Sequence, residues 1–176
     1  ERNSLVGSEM CIRDRLFSQA RKLASKCSIQ TSSANSSSTS SATTSTSVSS
    51  VVGSVSNGQM ARYHYYMGKI RASELDYSAA AEHLQQALHK APQATEKGQG
   101  FKIAVSKMLC VVQLLVGEVP ERSTLSSKKL RPYLRLAQAV RVGDVDAFTT
   151  VVTENSGQLA RDGTLALVHR LRHNVI

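Results

Sequence analysis

The chain has 176 residues, a net charge of +9, no tryptophan and only 5% aromatic residues, which is room for one domain of ordinary size. Its three cysteines, Cys11, Cys27 and Cys110, are too few and too scattered for a disulfide framework, so a reducing compartment is expected. The most apolar run, MLCVVQLLV, has nine residues between Lys107 and Glu118. Roughly 20 are needed to cross a bilayer, and the first residues lack the pattern of a secretory signal, so no membrane partner is expected.

Three compositions follow one another. LVGSEMCIRDR (5–15) has neither helical nor strand periodicity. It is the translation, in one frame, of a common sequencing-library transposase adapter, so residues 1–15 read as an adapter artefact and the chain as a piece of a longer protein. LFSQARKLASKC (16–27) carries Leu16, Phe17, Ala20, Leu23, Ala24 and Cys27 at helical spacing, with Arg21, Lys22 and Lys26 opposite, the pattern of one short amphipathic helix. Residues 28–58 are dominated by Ser and Thr. Of the twenty from Thr31 to Ser50, sixteen are one or the other, too few apolar side chains to offset the entropy of ordering, so this stretch is expected to be a disordered insertion.

From residue 59 onward long apolar periodic segments alternate with short punctuated connections, which predicts an all-α domain. ARYHYYMGKIRASELDYSAAAEHLQQALHKAP (61–92) reads as two antiparallel helices. Asp76 caps the second, Ala80, Ala81, Leu84, Ala87, Leu88 and Ala91 form its apolar face, and Pro92 stops it. Gly68, Ala80 and Ala87 would let the two axes approach. Counted from Ala61, Gly68, Ala80, Leu84, Ala87 and Pro92 fall at positions 8, 20, 24, 27 and 32, the spacing of a tetratricopeptide-type (TPR) repeat. His64 and Arg71 depart from it, standing where aromatic residues are usual. A single hairpin cannot bury its apolar face, so neighbours must stack on it. Phe101, Val105, Met108, Leu109, Val112, Leu115 and Val116 supply one, ended by Gly117 and Pro120. Leu130, Tyr133, Leu134, Ala137 and Val140 form the next, closed by Gly143. Asp144 then caps a helix with Val145, Phe148, Val151 and Val152. After a break at Gly157, Asp162 or Thr164 caps a last helix with Leu165, Val168, Leu171 and Val175 inward. The order is that of an α-solenoid, for which a right-handed twist is the usual one.

Candidate chemistry is sparse. HRLRH (169–173) has the two histidines of the HExxH zinc helix, but Arg170 replaces the general base and no third ligand follows. GQG (98–100) lacks both the Lys-Ser/Thr of a P-loop and a preceding strand, and reads as a loop at a helix start. Cys110, inside an apolar run, reads as a buried hydrophobe. No catalytic, cofactor-binding or metal-binding residue is assigned, so no enzyme, no cofactor and no small-molecule substrate is expected. The strongest feature is basic: Arg122, Lys128, Lys129, Arg131, Arg135 and Arg141 face Glu121 alone between Val119 and Val142. Such a cluster suits phosphates, acidic protein surfaces or simply solvent. Few aromatics are present to stack bases, so nucleic acid is the less favoured partner.

YLRLAQAVRVGDVDAF (133–148) and RDGTLALVHRLRHNVI (161–176) resemble the helical half of a PCI domain, the module shared by scaffold subunits of the proteasome lid, the COP9 signalosome and a translation-initiation-factor complex. ARYHYYMGKIRASELDYSAA, LHKAPQ and VVQLLVGEVPER draw the resemblance toward the non-ATPase subunits of the 26S proteasome regulatory particle. The resemblance implies TPR-like repeats over 59–125 running into the start of a PCI domain over 126–176, with the winged-helix subdomain beyond the end of the chain. It also implies a non-catalytic scaffold in cytoplasm and nucleus, serving ubiquitin-dependent degradation through contacts with other lid subunits, both PCI-containing and deubiquitinase-associated. Leu165, Val168, Leu171 and Val175 are then expected to pack against the absent part, leaving an apolar strip exposed. The rival readings are a PCI scaffold of another complex and a basic nucleic-acid-binding helical module.

Overall fold

The computed structural model describes residues 19, 20, 22, 56–92 and 96–175. The adapter-like segment and almost all of the Ser/Thr tract lie outside them. So does most of the 16–27 segment, of which residues 19, 20 and 22 are helical, with Ala20 buried against Ile70, Tyr66 and Met67.

Among the described residues every regular element is helical. In chain order they are α1 (Asn57–Ser73), α2 (Tyr77–Lys90), α3 (Glu96–Val116), α4 (Arg131–Val142), α5 (Val145–Glu154), α6 (Ser156–Asp162) and α7 (Leu165–Leu171), with 3-10 turns at Lys128–Leu130 and Arg172–Asn174. α1 and α2 form one antiparallel hairpin and α4 and α5 another. α3 lies between them, touching α1, α2 and α4, and α7 returns onto it.

Four of the connections share one device. Gly117, Gly143 and Gly163 each follow a helix with positive φ. Each donates its N–H to Leu114, Val140 and Ala160 respectively, while the next residue reaches one carbonyl further back, at Gln113, Ala139 and Leu159. This is the paired-bond Schellman ending, which satisfies the last carbonyls and needs a left-handed residue. The α1–α2 turn makes the same two bonds, Leu75 to Ala72 and Asp76 to Arg71, but with Leu75 at φ 69°. Asp76 and Asp144, just after two of these turns, accept from the N–H groups of Ala79 and Ala147 and cap α2 and α5 as expected.

α1 and α2 approach closely because Gly68 has no side chain. A Cβ there would lie 2.7 Å from Leu84 Cγ and 3.3 Å from the Ala80 carbonyl. Around α3 gathers the core: Val105, Met108, Val111, Val112 and Leu114 meet Leu84, Leu125, Tyr133, Leu136, Phe148, Val168 and Leu171. α3 is longer than the nine-residue run suggested. Its Gly98–Val116 stretch has a mean hydropathy of 1.4, enough by length and composition to cross a membrane. Its inward face is occupied by helices of the same chain and Lys107 within it is ion-paired, the environment of a core helix.

Three local expectations need correction. GQG lies inside the first turns of α3 rather than in a loop. The break expected at Gly157 falls at Asn155, and a short extra helix, α6, follows it. Neither Asp162 nor Thr164 caps α7 through its side chain, because both are engaged elsewhere.

Candidate functional site

Asp162 stands at the meeting point of the two hairpins. Both its carboxylate oxygens accept from Lys107 Nζ on α3 at 2.8 Å. Oδ2 also accepts from the Tyr133 hydroxyl on α4 at 3.0 Å. That hydroxyl lies 2.9 Å from Thr164 Oγ1, which also reaches the Leu159 carbonyl. Lys69 and Tyr65 on α1 feel the same charge: burial lowers the Lys69 pKa while Asp162 raises it, and burial with Asp162 pushes Tyr65 up to about 12. Lys69 Nζ sits 5.2 Å above the Tyr65 ring, at cation–π range. One carboxylate thereby connects α1, α3, α4 and the α6–α7 turn. Burial raises the Tyr133 hydroxyl pKa further still and takes the Cys110 thiol up to about 12. Both groups stay protonated at neutral pH, and the contacts of this network join helices.

The predicted packing residues turn out differently from expectation. Val168, Leu171 and Val175 are buried in this chain's own core, and Leu165 is half-buried against it. α7 folds back onto α3, so the stripe already has its partner and is not the exposed strip expected for it. The open apolar surface lies elsewhere. Val142 is 79% exposed at the rim of a shallow groove between α4 and α5, lined also by Arg135, Gln138, Ala139, Ala147 and Val151.

The six cations of the basic segment are all exposed but do not form one compact cluster. Lys128, Lys129 and Arg131 gather where the 3-10 turn enters α4. Arg122 lies in the preceding turn. Arg135 is held by Glu154 of α5 at 3.2 Å. Arg141 is ten residues beyond Arg131, roughly 15 Å along the axis. The first turn of α4 contains no acidic residue and Leu130 supplies no side-chain cap. Cations at the positive end of a helix dipole are locally unfavourable, by about 0.3–1 kcal/mol each when exposed, and an anionic surface would relieve this.

His169 and His173 are both exposed, one on α7 and one in the 3-10 turn. Among the described residues no group of three or more His, Cys, Asp or Glu converges on a metal-sized space. Another histidine pair escaped the sequence reading. His64 of α1 and His83 of α2 place their Nδ1 atoms 3.2 Å apart, with His64 only 5% exposed. His64 lies ten residues before Glu74 and His83 seven after Asp76, so the two face each other only in the register that the hairpin adopts.

Residues 36–137 match the family model described as PSMD3-like, N-terminal TPR repeats. The 26S proteasome non-ATPase regulatory subunit 3 of Dictyostelium discoideum is 49% identical over 127 residues, 70% of this chain and 25% of that protein. The probable 26S proteasome regulatory subunit rpn3 of Schizosaccharomyces pombe is 41% identical over 169 residues, 94% of this chain and 29% of that protein, a span wide enough to run through the Ser/Thr tract. The probable 26S proteasome non-ATPase regulatory subunit 3 of Nicotiana tabacum is 46% identical over 125 residues, 69% of this chain and 25% of that protein. The chain thus spans between a quarter and three-tenths of the length of these relatives. With a family model matched over more than half its length and a helical-repeat fold to go with it, the chain belongs to the family of 26S proteasome non-ATPase regulatory subunit 3.

Proposed function

We propose that this chain is part of a non-catalytic scaffold subunit of the 26S proteasome regulatory particle, in its lid, and supports ubiquitin-dependent degradation by holding other subunits in place. One observation supports this above the rest. Asp162 joins helices: it binds Lys107 and Tyr133 across three elements, and burial keeps the Tyr133 hydroxyl protonated at neutral pH. A protein built this way acts by position. In this reading 126–176 is the beginning of a PCI domain, and partners are other lid subunits, both PCI-containing and deubiquitinase-associated. The cytoplasm and nucleus are where it works.

Two surfaces suit such partners. The α4–α5 groove with exposed Val142 is a face for a further helical layer. The cationic end of α4, with Lys128, Lys129 and Arg131, fits an acidic protein surface, since an anion there offsets the dipole mismatch. A tagged full-length subunit tests the proposal. It should co-purify with stoichiometric lid subunits. Recovery with signalosome or initiation-factor subunits instead would move it to another PCI complex, and recovery with RNA or DNA in a steeply salt-dependent manner would favour the nucleic-acid reading.

A further inference from the structure

We propose that His64 and His83 form a proton-sensitive clasp between α1 and α2, closed while one ring donates to the other and opened when both rings carry a proton. The geometry is specific. Two Nδ1 atoms 3.2 Å apart can bond only if one bears hydrogen and the other a lone pair. At least one ring must therefore be neutral. The first added proton can be accommodated, because a charged ring still donates to a neutral one. The second cannot: both Nδ1 atoms would then carry hydrogen, with two cations whose ring centroids are 5.4 Å apart.

The surroundings decide the order. Burial opposes charge on His64 most, then the His83 ring facing it, then Lys90 of α2. His83 is also disfavoured by burial and by Arg71 of α1, but Glu82 and Asp76 work the other way. His83 therefore takes the first proton and His64 the second. Both pKa values lie below the ordinary 6.5, so the folded state binds these protons later than the unfolded chain does. The clasp's contribution to stability is complete above pH 6.5 and is lost as pH falls below it.

Position makes the clasp consequential. His64 is one helical turn from Gly68, and His83 adjoins Leu84, the residue that fills the space Gly68 leaves. Repulsion between the rings therefore acts one turn from the close Gly68–Leu84 approach. The α4–α5 hairpin contains no histidine, so acidification should loosen the first hairpin before the second.

The test uses the whole chain. Imidazole nitrogen spectra recorded from pH 7.5 to 5 should show both rings titrating below 6.5, His83 first, with α1–α2 amides losing exchange protection at the second step while α4–α5 amides keep theirs. The unfolding equilibrium constant should rise more over that range in the natural chain than in His83→Gln, because both folded-state pKa values lie below the ordinary one. Titration of both rings at the ordinary value, or equal pH sensitivity in the natural chain and His83→Gln, would overturn the proposal. The spectra decide the matter even if the variant folds poorly.

Discussion

Lys107 and Asp162, 55 positions apart in sequence, form a 2.8 Å ion pair in which the lysine reaches both carboxylate oxygens. Their side chains are 15% and 20% exposed, so the pair is neither a surface ornament nor fully desolvated. Removing one partner strands the other with little water to replace it. Asp162→Ala also leaves the Tyr133 hydroxyl with Thr164 alone. We expect it to lower the unfolding free energy by about 2–3 kcal/mol, somewhat under the cost of breaking a fully buried pair. Lys107→Met combined with Asp162→Leu should recover part of that loss. Urea denaturation of the three chains measures both effects.

Gly68→Ala pits two effects against each other. Alanine favours helix by up to about 1 kcal/mol over glycine, but its methyl would stand 2.7 Å from Leu84 Cγ and 3.3 Å from a backbone carbonyl. Leu84 is fully buried and the carbonyl belongs to a helix, so neither yields easily. Overpacking should win, with a net loss of about 1–2 kcal/mol. A gain in thermal midpoint would show that α1 and α2 can separate without cost.

Leu75 is the one described residue other than glycine with positive φ, in a turn type that glycine fills at three other helix ends. Its side chain is 58% exposed and forfeits little on removal. Leu75→Gly should therefore stabilise the chain, by about 0.5–1 kcal/mol after the glycine's own entropy cost. Calorimetry showing an unchanged or lower midpoint would mean that Leu75 packs usefully despite its strain.

Lys128, Lys129 and Arg131 crowd the positive end of α4. Replacing all three by Glu should leave stability unchanged or raise it by up to about 2 kcal/mol. It should weaken assembly with partner subunits in the same chains. Undiminished incorporation would mark the patch as a solvated face.

Much of this architecture was legible because it depends on neighbours in sequence. The Asp76 and Asp144 caps, the Gly143 and Gly117 endings and the small residues at Gly68 and Ala80 are all local signals, and each stands where spacing put it. What failed was long-range. Asp162 looked like a helix cap because nothing nearby revealed Lys107 and Tyr133 as its partners. Leu165, Val168, Leu171 and Val175 looked like an open stripe because periodicity shows that a face is apolar without showing what covers it. The basic residues clustered in sequence but spread along α4, since a helix separates what a sequence window groups. The His64–His83 contact required the register of the hairpin as well as its existence.

Whether the chain works by position or by chemistry is decided most directly in cells whose only copy of the full-length subunit carries either Asp162→Ala or the pair His169→Ala and His173→Ala. Assembly of the regulatory particle and breakdown of ubiquitin conjugates would be measured side by side. The account predicts that Asp162→Ala reduces incorporation and degradation together, while the histidine substitutions change neither. A histidine variant that assembles fully yet no longer supports degradation would contradict it.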